Sequence, residues 1–264
     1  MMSEELVLLE KSESIATVTL NHPESLNSLT YDLLLRFKDV IRDVERDNEI
    51  RAILLTGAGR GFCSGANLLA GSGETLAAGG MGLRSTISEM NALLATIAEM
   101  EKPWIAAVNG PAVGGGCALA LICDLVLAAE VAYFCVGYVN IGVVLDMGTS
   151  YILSRLVGPH KAKELAFFGE RVYGPQAEEM GLINRCVPDD GLMDTAWQWA
   201  SRLAKGPSLA LGAMKKLIYL GQQSTLRVAL EREANMLSLI SQTEDASEGI
   251  MAFFQKREPE FKGR

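Results

Sequence analysis

The feature that most constrains this chain is the regular alternation, through its first half, of short β-rich apolar runs with helical stretches. The runs Leu6 to Leu9 and Ile15 to Leu20 precede a turn at Asn21-His22-Pro23 and predict an opening hairpin. From Thr30 to Val44, Leu33, Leu34, Phe37, Val40, Ile41 and Val44 recur at helical spacing, with Thr30 placed to cap the helix N-terminus. A strand at Ala52 to Thr56, a helix from about Arg84 to Met100, a strand at Trp104 to Val108 and a further short helix continue the order. Strand-helix alternation of this kind predicts an α/β fold with a mostly parallel, helix-covered sheet. Helical patterns dominate from Ser150 on, broken at Gly158-Pro159, Gly174-Pro175 and Gly206-Pro207, with one β-like run at Leu182 to Val187.

Composition narrows the functions open to such a fold. A net charge of −8 argues against a basic groove that tracks a nucleic-acid backbone. The most apolar region, Cys117 to Gly148, is interrupted by Asp124, Glu130, Asn140 and Asp146, so it reads as core and not as a membrane span. Five cysteines form no CxxC pair and no Cys/His cluster, which points away from a zinc or other metal site and towards free thiols in a reducing cytoplasm. The acidic start, Ser3-Glu4-Glu5, lacks the order of a secretory signal.

Two glycine-rich turns carry the functional argument. Thr56-Gly57-Ala58-Gly59-Arg60-Gly61-Phe62-Cys63-Ser64-Gly65-Ala66-Asn67-Leu68 leaves one strand, and Asn109-Gly110-Pro111-Ala112-Val113-Gly114-Gly115-Gly116-Cys117 leaves another and opens a helix. Each exposes backbone N–H groups that no regular element uses, and two such donors aimed at one oxygen make an oxyanion hole. The glycines equally suit tight turns and close packing alone. Gly57, Gly59 and Gly61 give GxGxG, not a dinucleotide fingerprint, and no phosphate-loop lysine follows.

These two segments, with Asn21 to Leu29 near the start and Ala252-Phe253-Phe254-Gln255-Lys256-Arg257 near the end, resemble the ordered signature blocks of the enoyl-CoA hydratase/isomerase (crotonase) family over nearly the whole chain. The stretch from Val44 to Cys63 and the ending from Glu248 to Phe261 are especially similar to the phenylacetate-pathway ring-epoxide isomerase branch. The resemblance implies a crotonase spiral of ββα units over residues 1–200, with a helical trimerisation region over 201–264 and assembly as a homotrimer or a dimer of trimers. It implies a coenzyme A thioester as substrate and no further cofactor. It also implies an oxyanion hole from the amides of Ala66 and Gly115, with Leu26, Ser64, Asn67, Leu68, Gly114, Ala118 and Tyr138 along the substrate, and Phe253 and Lys256 reaching the CoA of another subunit.

Hydratases of this family use two glutamates, and both are missing. Ala118 stands two positions beyond Gly116, where the first is expected, and Tyr138 stands at the second. Eight positions beyond Tyr138, Asp146 falls where isomerase-like members carry a catalytic aspartate, among Val143, Val144, Leu145 and Met147. An acid among apolar neighbours is a candidate to take and return a proton. Read from local sequence alone, without the family frame, Asp146 is better taken as a helix N-cap for the run Thr149 to Leu156. The leading expectation is an enoyl-CoA isomerase; a hydrolase or hydratase of the same family and a catalytically degenerate acyl-CoA-binding protein are the alternatives.

Overall fold

The computed structural model describes residues 5–66 and 79–264. Its main sheet has six strands in the order β1-β2-β3-β4-β6-β9: β1 (Val7–Ser12), β2 (Ile15–Leu20), β3 (Ala52–Gly57), β4 (Trp104–Val108), β6 (Leu125–Ala129) and β9 (Arg185–Val187). β1 and β2 form the expected antiparallel hairpin, and every later pairing in this sheet is parallel. A second sheet, β5 (Ala112–Val113), β7 (Tyr133–Cys135) and β8 (Arg171–Tyr173), lies in the order β5-β7-β8.

Every residue of β3 and β4 is buried, the signature of parallel strands covered on both faces. Helix α1 (Tyr31–Arg46) turns Leu33, Phe37, Val40, Ile41 and Val44 inward, and its cap is the predicted one, with Thr30 Oγ1 accepting from Leu33 N at 3.2 Å. Phe37 meets Trp104 edge-on, ring centroids 6.4 Å apart. Helix α2 (Gly79–Glu99) precedes β4, and the short α3 (Gly115–Leu121) lies wholly inside the protein. After α4 (Thr149–Phe168) and α5 (Gly174–Glu179), helix α6 (Leu192–Ala204) buries Leu192, Ala196, Ala200 and Ala204. That four-residue spacing makes one narrow stripe of mostly small side chains, which lets α6 lie close against β3 and β4. The C-terminal helices are α7 (Ser208–Gly221), α8 (Leu226–Ile240) and α9 (Glu244–Gln255).

Three readings change. The β-like run from Leu182 shrinks to Arg185–Val187, because Leu182 N and Ile183 N both turn back to Ala177 O. The apolar stretch from Cys117 to Gly148 is core only in part: Val139, Ile141, Val143 and Val144 are exposed, Val144 at 85%. The surroundings of Asp146 are therefore only partly apolar interior, with Met147 buried, Leu145 partly packed on the core and Val143 and Val144 facing out. Among the described residues, no helix is long and apolar enough to cross a membrane.

Candidate active site

The two glycine turns fold as one unit. Cys63 N donates to Pro111 O at 3.0 Å, Val113 N returns a bond to Cys63 O at 3.0 Å, and Cys63 pairs with Ala112 in an isolated parallel bridge. The segment after the opening hairpin joins them: Leu29 N donates to Gly65 O at 2.8 Å, and Leu29 pairs with Ala66. Asn27, fully buried, donates from Nδ2 to Ala58 O and Gly61 O at 3.0 and 2.8 Å, which fixes the first turn from inside. Leu26 adopts a left-handed conformation beside it, with φ 55°, and its carbonyl accepts from Ser64 N at 2.9 Å. Ser64 Oγ donates to Ser25 O at 2.8 Å.

At Gly65 the approach is too close for any side chain. A Cβ there would stand 2.5 Å from Val113 O and 3.3 Å from Gly115 N, at a φ of +83°. This contact sets Ala66, the next residue, beside the start of α3. Gly114 caps that helix at φ 52°, ψ −118°, and nothing lies within 4 Å of where its Cβ would be. Among the described residues, the amides of Ala66 and Gly115 donate to no acceptor. Both are positioned by main-chain hydrogen bonds, so the site's donor end depends little on side-chain identity.

The loop before α4 closes over the same point. A Cβ on Gly115 would lie 2.7 Å from Met147 Sδ and 3.1 Å from Leu29 Cδ1, so Met147 sits directly on the helix start and carries Asp146 with it. Asp146 does not cap α4: Gly148 is the N-cap, and Asp146 contributes only its backbone oxygen, which accepts from Thr149 N at 2.9 Å. The carboxyl is left over, and its Oδ1 is buried with no hydrogen-bond partner. An unpartnered buried polar atom costs stability, about 1–3 kcal/mol and more for a charged group. Such a cost persists where a group is held for a purpose other than folding.

Ala118 is wholly buried in α3 and brings no proton-transfer group. Tyr138 is buried, with its hydroxyl 3.3 Å from Thr149 Oγ1. Burial first, and the neighbouring Asp146 carboxyl next, push the phenol well above its ordinary value, so it stays neutral. Two thiols flank the turns, but burial lifts Cys63 and Cys117 to about 12, which leaves neither as a thiolate nucleophile near neutral pH.

A model of the enoyl-CoA hydratase/isomerase family matches residues 10–264. The chain belongs to that family. It is 38% identical to a 1,2-epoxyphenylacetyl-CoA isomerase of Escherichia coli K12 over 98% of this chain and 99% of the relative. It is also 36% identical to a 2,3-dehydroadipyl-CoA hydratase of the same organism over 98% and 99%. An enoyl-CoA hydratase structure from Bacillus anthracis superposes with a TM-score of 0.93 at 30% identity, covering 98% of this chain and 100% of that one. The family fold is therefore this chain's fold, and an acyl-CoA thioester is its class of substrate. Relatives carry both isomerase and hydratase names.

The structure thus brings Leu26, Ser64, Ala66, Gly114 and Gly115 together, and Met147, seated on Gly115, brings the Asp146 loop to the same helix start. Asn67 and Leu68 lie outside the described residues. Phe253 and Lys256 belong to α9: Phe253 is 80% exposed with its ring against Phe254, and Lys256 is the left-handed C-cap whose N–H turns back to Phe253 O. Within one chain those interactions tie both residues to their own helix. Sequence reasoning missed Met147 and Thr149. Neither residue type signals chemistry, and only the fold shows Met147 seated on Gly115 and Thr149 bonded to Tyr138.

Proposed function

We propose that this chain is an enoyl-CoA isomerase, in which Asp146 takes a proton from one carbon of an acyl-CoA and returns it to another. The observation that carries this reading is the buried, unpartnered Oδ1 of Asp146 beside a helix start whose amide is free. The Ala66 and Gly115 amides hold the thioester oxygen as it gains charge; one such donor typically contributes about 10²- to 10³-fold in rate. A single carboxylate is enough for the shift, because the proton leaves and re-enters along one allylic system. Adding water instead requires a base and an acid around the double bond, and Ala118 and Tyr138 supply neither: a methyl transfers no proton, and the neutral phenol holds its own. The coenzyme A thioester is the substrate, with no other cofactor needed for this chemistry.

The assembly reading belongs with it. Residues 201–264 form the part that meets other subunits, in a homotrimer or a dimer of trimers. No residue of α8 is buried, while Leu226, Leu230, Leu237 and Leu239 are exposed, an apolar surface that supports packing against another copy. Phe253 and Lys256 then reach a neighbour's CoA, and the free thiols fit a cytoplasmic setting.

A panel of acyl-CoA thioesters analysed by mass spectrometry tests the proposal. The expected result is a 3-enoyl-CoA converted to its conjugated isomer at unchanged mass. Gain of water as the main product, or release of free CoA, contradicts it.

A further inference from the structure

The two glycine turns leave neighbouring strands, but they differ in length. β3 and β4 pair as far as Leu55 and Ala106, and the two chains meet again where Cys63 bridges to Ala112. Between those points the first chain takes eight steps and the second six, so two residues of the first have to be stored before the turn reaches Ala66. The store is the segment Gly57 to Gly61, and side chains hold it. Asn109 Nδ2 donates to Gly57 O at 2.8 Å and to Gly59 O at 2.9 Å, while its Oδ1 accepts from Gly57 N at 3.4 Å. From the interior, Asn27 takes up the carbonyls of Ala58 and Gly61. A carboxamide carries the same donors and acceptor as a peptide group, so the two asparagines stand in for a strand that the turn does not have.

Asn109 differs from Asn27 in working across the two turns: it is the first residue of the second, and these bonds are to the first. Beyond it the contacts between the turns follow in order. Gly110 lies so close to Arg60 O that a side chain there would overlap it. Pro111 O accepts from Phe62 N at 3.2 Å and from Cys63 N at 3.0 Å, and Val113 N donates to Cys63 O. The last contact is Gly65 against Val113 O and Gly115 N. The register fixed at Asn109 is therefore inherited, step by step, by the two amides at the far end. Without the carboxamide, the stored residues are free to redistribute towards Ala66.

We propose that Asn109 is a positioning residue for the oxyanion hole: by holding the Gly57 to Gly61 segment in register with the second turn, it sets the Ala66 amide against the Gly115 amide at the spacing one thioester oxygen requires. This rests on the reading of those two amides as the oxygen's donors and is independent of the role given to Asp146. Asn109 acts only through the turn it holds.

The test reads the polarisation of a bound thioester directly. Cinnamoyl-CoA, whose conjugated carbonyl absorbs at longer wavelength when donors draw charge onto its oxygen, is titrated into the parent and into Asn109→Ala until each is saturated. The parent is expected to shift the absorbance to longer wavelength, and Asn109→Ala to shift it clearly less. On a 3-enoyl-CoA, kcat of this variant is expected to fall between about tenfold and 10²-fold, the scale of a small misplacement of a catalytic group, with KM little changed. Asn109 is half-buried at the edge of the turn, so the alanine variant is expected to fold. Asn109→Ser, which returns one hydroxyl, is measured alongside so that an unstable alanine variant leaves the question answerable, and is expected between the other two. A lower melting temperature with the parent's spectral shift and kcat overturns the proposal, because the asparagine then serves the fold alone. A parent that binds cinnamoyl-CoA with no shift removes the donor reading of Ala66 and Gly115 and this inference with it, whereas a shifted parent beside an equally shifted Asn109→Ala removes only the role of Asn109.

Discussion

The two halves of the candidate site are built on opposite principles. One half, Cys63 to Ala66 with Pro111 to Gly115, is made of main chain, locked by reciprocal hydrogen bonds and by a contact at Gly65 that admits no Cβ. The other half, Tyr138 to Thr149, is made of side chains on a loop whose outer face, Val139 to Val144, lies exposed. The first half suits whatever thioester chemistry follows, because an amide donor serves any reaction that places charge on the same oxygen. In the proposed mechanism the second half is the part that selects the reaction. Of the two missing glutamates, one position, Tyr138, lies with Asp146 in the second half, and the other, Ala118, lies in the helix that the first half opens.

The sharpest way to break the comparison is to attack the backbone half. Gly115→Pro removes the amide donor and drives a ring against Met147 Sδ and Leu29 Cδ1. Turnover on every acyl-CoA substrate is expected to fall by at least about 10³-fold, given the worth of one such donor and the disturbed helix start. Circular dichroism that matches the parent confirms that the sheet persists. Undiminished turnover on any one substrate would show that the amide is dispensable.

A gentler intervention adds a carboxyl back. Ala118 is completely buried, so Ala118→Glu is expected to lower stability by about 1–3 kcal/mol in denaturant titration, through overpacking. Crotonyl-CoA hydration stays at background in this variant, because the partner position remains a neutral phenol. Strong hydration from the single replacement would mean that the site needs only one added acid to add water.

Smaller still is Ser64→Ala, which deletes the hydrogen bond to Ser25 O at the edge of the first turn. The expected cost is about 1 kcal/mol in thermal or chemical unfolding, with activity within a few-fold of the parent. A larger activity loss would place the Ser64 hydroxyl in the chemistry.

Away from the site, the clasp at the end of the chain gives a pH effect of known sign. Hydrogen bonding from Arg257 holds the Glu248 carboxyl at about 2, below its ordinary 4.5. A depressed acid stabilises the fold above its unfolded value and loses that contribution as pH falls through the folded one. The tail after α9 is therefore expected to loosen between about pH 4.5 and 2, seen as faster amide exchange at Glu260, whose N–H donates to Glu248 Oε1. Exchange that is flat across that window would count against the clasp.

Much of the fold was legible because its strongest signals are local. Ala52 to Leu55 and Trp104 to Val108 are apolar throughout, as strands covered on both faces tend to be, and Thr30 capped the helix it was expected to cap. β5, β7 and β8 escaped notice since two or three residues carry no periodicity, and their pairing is decided by the fold around them. Val139 to Val144 misled for another reason: apolar composition alone does not distinguish interior from an exposed face. The two glycine turns were legible as donor-rich segments, and their union through Cys63 and Ala112 is tertiary information. Asp146 was ambiguous in sequence between cap and catalyst, and the structure removes the cap by giving that place to Gly148.

The claim that the leftover carboxylate moves the proton is tested most directly by Asp146→Asn, assayed on a 3-enoyl-CoA through the absorbance of the conjugated thioester. Asparagine preserves the shape and removes the base. The account predicts a loss of about 10²- to 10⁴-fold in kcat, with the fold and CoA binding retained. Isomerisation at the parent's rate in that variant would contradict it.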